Sequence, residues 1–460
     1  MANSKIYLGT TNIGSIFGGA ADVSIYLGTE KVYPLETAKK LIATYSDSST
    51  FEIPCDSATT LSSGDTRGHS TALSAMTSAS IGDCIDTIGS RTFFGASSLS
   101  SVTIPNSVTT VGSYAFSGAG LTSVSLPNGL NYIGGGSFQD CTSLETAMIP
   151  SGVTTIGGSA FRNCTSLKSA VVPVSTTSLG NHVFRNCTSL SSVTVTDGVS
   201  AFTDNMFFSA TSLSDINIPS SVTSIGQSAF ANCSALTSVD LSNVTSIAMQ
   251  AFANCTSLSA CTLGEGLTDL ETSTFRSCTS LSSITIPNSV VHIKSNAFYN
   301  CVSLSNINIP SGVTTIFEPF TSCSELEAIT VDSGNTIYDS RDNCNAIIET
   351  STNKLISGCK NTIIPNTVTS IDVNAFEGHS NLHSITIPSS VTEIGSNAFN
   401  SCSGLSYVII ESTTPPTIGQ QAFAYTSDCP IYVPSASVSA YQSASGWSNY
   451  ASRISAIPNS

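Results

Sequence analysis

Charge is scarce in this chain. Asp, Glu, Lys and Arg make up 10% of its 460 residues, against roughly 25% in typical globular proteins. The few charges are mostly acidic, with a formal net charge of −15. An acidic, charge-poor surface argues against nucleic acid and against anionic membranes as partners. Aromatics are also sparse, with a single Trp. No apolar run approaches the roughly 20 residues of a membrane span. The first residues, MANSKIYLGTTNIG, have no apolar stretch of the kind a secretory signal needs, so none is expected. Also missing is any C-x-x-C pair, G-x-S-x-G, H-E-x-x-H or phosphate-binding glycine loop in a suitable context. The expectation is therefore no catalytic residue, no cofactor and no metal, and a chain that is not an enzyme.

What is present is a repeat. Its clearest copy is LSSITIPNSVVHIKSNAFYNCVS, residues 281–303. Ile284 and Ile286 alternate with Ser283 and Thr285, the period of a half-buried strand. Pro287 removes a backbone donor and ends that strand. Ser295 to Phe298 suits a single helical turn. Leu281, Ile284, Ile286, Val290, Ile293, Ala297, Phe298 and Cys301 should point inward. One unit cannot bury so much apolar surface, but stacked units can. The period is set by Phe93, Phe116, Phe138, Phe161, Phe184, Phe207, Phe230, Phe252, Phe275, Phe298, Phe320, Phe376, Phe399 and Phe423, spaced by 22 to 24 residues with one gap of 56. The fold expected is mainly β: a solenoid of about fourteen rungs with short helical turns, a β N-terminal cap and a short C-terminal cap.

The recurring S-V-T-I-P, V-T-x-I-G, A-F and N-C-T-S-L segments resemble the BspA-like type of leucine-rich repeat. The resemblance spans roughly Leu73 to Pro434 and implies the solenoid fold. Repeats of this kind occur in bacterial and protist surface proteins and in phage-encoded proteins.

Of 15 Cys, nine follow a repeat Phe by three residues: Cys141, Cys164, Cys187, Cys233, Cys255, Cys278, Cys301, Cys323 and Cys402. Ala96, Ala210 and His379 take the same place in other units, which suits a small buried niche better than a disulfide or zinc ladder. Buried free thiols imply folding in a reducing compartment.

Four regions are expected: 1–36 as an attachment segment, 37–72 as a β-hairpin cap, 73–434 as the solenoid, and 435–460 as the C-terminal cap. Within the solenoid, 331–364 should form a hairpin insertion. Its Asp332, Asp339 and Asp342 do not have EF-hand spacing and are taken as solvated. Trp447 is expected to plug the core. Ile6-Tyr7-Leu8-Gly9-Thr10 is echoed by Ile25-Tyr26-Leu27-Gly28-Thr29. This segment resembles the K-I-Y-L-G-T and K-V-Y-P N-termini of structural proteins from phages that infect gut Bacteroidota, the crAss-like type. That resemblance implies a bacteriophage virion protein, a fibre or a capsid- or tail-associated component assembled in the host cytoplasm. Ile6, Tyr7, Leu8, Ile25, Tyr26 and Leu27 would then attach it to other virion proteins. The alternative is a BspA-like cell-surface adhesin. Outward strand positions are mostly Ser, Thr and Asn, which offer few anchors. Tyr407, Ile409 and Tyr432, on adjacent rungs near the end, are the expected contact patch for a host-surface glycan or protein. A homo-oligomer without nucleic acid or membrane insertion completes the expectation. Arg162 and Arg185 are taken as solvated rim charges.

Overall fold

The computed structural model describes residues 24–27, 30–34, 39–55, 58–67 and 73–458. The repeat builds a β-solenoid of about 17 turns.

Each turn carries two short strands that pair in parallel with the same strands of its neighbours. On one side Ser123–Ser125, Thr146–Met148, Ser169–Val172 and Ser192–Val195 run in register. On the other, Thr110–Val111, Tyr132–Ile133 and Thr155–Ile156 do the same. Alternation decides which side chains enter the core: Ser192 and Thr194 are exposed while Val193 and Val195 are buried. The unit at 281–303 keeps all eight expected residues buried. Its stretch through Ile284 and Ile286, however, lacks the hydrogen bonding of a strand, although the in-and-out alternation persists.

The third side is built differently from the helical turn expected at Ser295 to Phe298. There is no helix there. Alternate amides bond within the turn and to the next rung: Ala297 N–H donates to Lys294 O, and Phe298 N–H donates to Pro319 O at 2.9 Å. Asn296 and Asn300 sit at φ 60° and 58°, which breaks any helix. Asn tolerates this left-handed region better than most residues, which explains the Asn of N-C-T-S-L. Asn163, Asn186, Asn232 and Asn254 share the conformation. Their side chains add a ladder, with Asn186 Nδ2 donating to Asn163 Oδ1 and Asn254 Nδ2 to Asn232 Oδ1, each at 2.8 Å.

Inside, the Phe rings stack from rung to rung. Phe138 and Phe161 lie 5.3 Å apart and Phe161 and Phe184 5.7 Å apart, with planes within 6° and 11° of parallel. The 56-residue gap does not interrupt the turn amide ladder, because Ser322 N–H donates to Glu377 O at 2.8 Å, but the ring stack ends at Phe320 and restarts at Phe376, and the core divides there into two clusters. The intervening chain forms antiparallel strands Ile347–Glu349 and Lys354–Ser357, and the second continues the sheet by pairing in parallel with Ser370–Ile371.

The ends are covered. Lys39–Tyr45 and Thr50–Pro54 form a hairpin, and Lys39–Tyr45 also pairs antiparallel with the first rung strand, Met76–Ile81. Buried Lys40 is paired there with Asp65 at 3.2 Å. At the other end, helix Val438–Ser443 and 3-10 helix Trp447–Arg453 lead into Ile454–Ala456, which adds a final strand beside Ile431–Val433. Trp447 is fully buried, and its indole N–H donates to Pro416 O at 2.7 Å.

Candidate functional site

The ladder cysteines are free and buried, all nine of them. Each thiol donates to the Phe carbonyl of the preceding rung: Cys141 to Phe116 and Cys164 to Phe138 at 3.1 Å, Cys402 to Phe376 at 2.9 Å. The niche therefore wants a small apolar group with a weak donor, a reason invisible in the sequence. Burial pushes Cys141, Cys187 and Cys301 up to about 12, so they stay protonated and unreactive. Outside the ladder, Cys55 of the N-terminal cap and Cys84 of the first rung form a disulfide. Titration of the native protein should label few thiols. Denaturation without reductant should expose the thirteen unpaired ones, and more than one protected pair would contradict the ladder.

His379 occupies a cysteine place. Burial pushes its imidazole down to about 4. Above pH 6.5 it is neutral whether folded or unfolded. Between 6.5 and 4 only the unfolded chain takes up the proton, so stability falls with pH, by up to about 3 kcal/mol. Nearby Glu377 is raised by burial and by Glu318, which acts in the opposite direction. Unfolding of His379→Cys beside the parent, at pH 7 and at about pH 4.5, should show a smaller acid loss in the variant.

Among the described residues no group of three or more His, Cys, Asp or Glu is placed to hold a metal. In the insertion, Asp339 is engaged by Arg341 and Asp332 accepts from Asn308. His383 is exposed, whereas His379 is buried. Arg185 is not a simple solvated charge: its guanidinium lies 4.0 Å from the Phe208 ring centroid and donates to Asn205. Arg276 stacks likewise on Tyr299 at 4.8 Å.

The residues expected to make contact stand on the outward strand face. Tyr407 and Tyr432 stand on adjacent rungs with ring centroids 6.1 Å apart, and Ile409 is in register with Tyr432. Sequence reasoning missed a fourth member. Asn361-Thr362-Ile363-Ile364-Pro365 repeats the S-I-T-I-P strand, so the repeat resumes before Pro365 and not at it. Ile363 takes the outward place and is 74% exposed. A groove of about 270 Å³ runs from Ile363 past Ser384 and Thr386 to Glu411. A second apolar pair, Met148 and Val171, interrupts the hydroxyl face on adjacent rungs. The signal for it was Met and Val at the Thr place of S-V-T-I-P. In the N-terminal region Ile6, Tyr7 and Leu8 lie outside the described residues. Ile25, Tyr26 and Leu27 belong to Ser24–Leu27, which pairs antiparallel with Glu30–Pro34.

The model of the BspA type leucine rich repeat region, six copies long, matches residues 71–191, 158–275, 245–352 and 347–445. The chain belongs to the BspA-type leucine-rich repeat family. No curated protein matches it. Among solved structures, this BspA-type chain is 28% identical to a leucine rich cell surface protein of Faecalibacterium prausnitzii A2-165. That match covers 68% of this chain and 91% of the other, with a TM-score of 0.46. A leucine-rich repeat protein of Bacteroides ovatus ATCC 8483 is 22% identical over 71% of this chain and 82% of its own, with a TM-score of 0.50, a likeness of fold. The pneumococcal vaccine antigen PcpA is 19% identical, covering 83% and 77%, with a TM-score of 0.41.

Proposed function

We propose that this protein is a non-catalytic contact scaffold displayed on an outer surface, binding through its outward strand face. One observation carries the reading: Ile363, Tyr407, Ile409 and Tyr432 keep apolar side chains near one end of a face made mostly of Ser, Thr and Asn. Exposed apolar clusters rimmed by polar residues mark interaction surfaces. A patch this small binds weakly alone, and many copies on one surface convert weak contacts into firm ones.

Two settings supply many copies. A phage particle is favoured by the N-terminal resemblance, with residues 1–36 as the attachment segment. A bacterial cell surface is favoured by the repeat family. Mass spectrometry of purified particles, alongside mass spectrometry of peptides shaved by protease from intact cells, tests the proposal. Display on either fits it, and the particle setting further expects deletion of residues 1–36 to prevent incorporation. Absence from both surfaces would overturn the reading.

A further inference from the structure

The V-T-x-I-G glycine recurs because the rungs touch there. A Cβ on Gly112, Gly157, Gly180 or Gly395 would fall within 2.1–2.7 Å of backbone in the preceding rung. None of these four is in the left-handed region, so the requirement is closeness rather than conformation. The glycine is replaced by Thr203, by Asp372 and, over four successive rungs, by Ala248 and three larger residues. Glu271, Lys294 and Phe317 occupy the glycine place, directly after strands Asp269–Leu270, His292–Ile293 and Thr315–Ile316. A groove of about 540 Å³ opens at that point, lined by Asp269, Thr272, His292, Lys294, Thr315 and Phe317.

The chemistry of this groove is specific. Phe317 is 57% exposed and lines the groove. Lys294 pairs with both Asp269, at 3.4 Å, and Glu271. Those contacts raise the Lys294 ammonium above its usual range. For Asp269, burial acts upward, but hydrogen bonds from Thr268 and Lys294 outweigh it and hold the carboxyl below its usual range. The charges are thus fixed in place, with two carboxylates to one ammonium. An excess of negative charge disfavours phosphate, sulfate and acidic ligands. A single ring with no second apolar anchor suits a peptide poorly.

We propose that this groove binds a neutral saccharide, one pyranose face lying on Phe317 and its hydroxyls bonding Asp269, Lys294 and Thr315. An apolar sugar face on an aromatic ring, beside fixed charged acceptors and donors, combines the contacts such a ligand requires. The site lies off the outward strand face and does not depend on the contact patch there.

Saturation-transfer NMR on the full chain with chitotriose, cellotriose and lactose tests it at millimolar sugar. At least one should bind, and Phe317→Ala and Asp269→Asn should each weaken that binding by about tenfold or more. Phe94→Ala, which removes an exposed ring outside the groove, should leave it unchanged. Equal melting temperatures for Phe317→Ala and the parent would show that the fold is kept. No binding to any of the three sugars, or binding unaffected by Phe317→Ala, would overturn the proposal.

Discussion

Phe230→Ala is expected to lower the free energy of unfolding by about 3–5 kcal/mol. Phe230 is fully buried and touches three other rings: Phe252 at 5.1 Å, Phe207 at 5.3 Å and Phe202 at 5.8 Å. Removing it leaves a cavity in mid-stack, where each rung contacts only its neighbours. The rungs are tied by parallel strands and by turn amides on either side, including Phe230 N–H to Ala251 O at 2.8 Å, so they cannot collapse inward to fill the space. Because repeat arrays do not always unfold as one unit, the loss should appear as an earlier denaturation transition, read by circular dichroism. An unchanged first midpoint would contradict the ring stack.

Trp447→Ala should be similarly costly, again about 3–5 kcal/mol. Trp447 packs on Tyr441 at 5.1 Å and on Phe423, the last ring of the stack, at 6.0 Å. It closes the C-terminal end, so its loss should fray the terminal rungs first. Trp447→Phe separates two effects: it keeps much of the volume but leaves the Pro416 carbonyl without its donor, at about 1–3 kcal/mol. Hydrogen exchange across residues 417–456 should rise in both variants, more in Trp447→Ala. Exchange confined to the N-terminal cap would contradict a capping role.

These two side chains also show how far the sequence could be read. The Phe spacing announced the stack, since a period of 22 to 24 residues is one turn of chain. Trp447 was legible as a plug because it is the single Trp of the chain and stands after the last repeat Phe. Cys141 was legible as buried, but its acceptor is the carbonyl of Phe116, 25 residues away, and only the stack brings the two together. The helical turn at Ser295 to Phe298 was misread because A-F flanked by polar residues suits a turn of either hand. The φ of 60° at Asn296 decides it, and the inter-rung amide ladder pays for that conformation. Ile363 was hidden because it lies at the end of the stretch read as the insertion. The groove at Phe317 was readable in principle as missing glycines, but only once the close approach at Gly180 gave those glycines a reason.

The proposed contact patch at Tyr407, Ile409 and Tyr432 is open to a direct test. Beads carrying many copies of the chain can be compared, under flow, for retention on a mucin-coated surface. The account predicts that Tyr407→Ala with Tyr432→Ala greatly lowers retention without moving the melting temperature, since both residues lie on the outward face. Retention equal to the parent, with the fold intact, would contradict it.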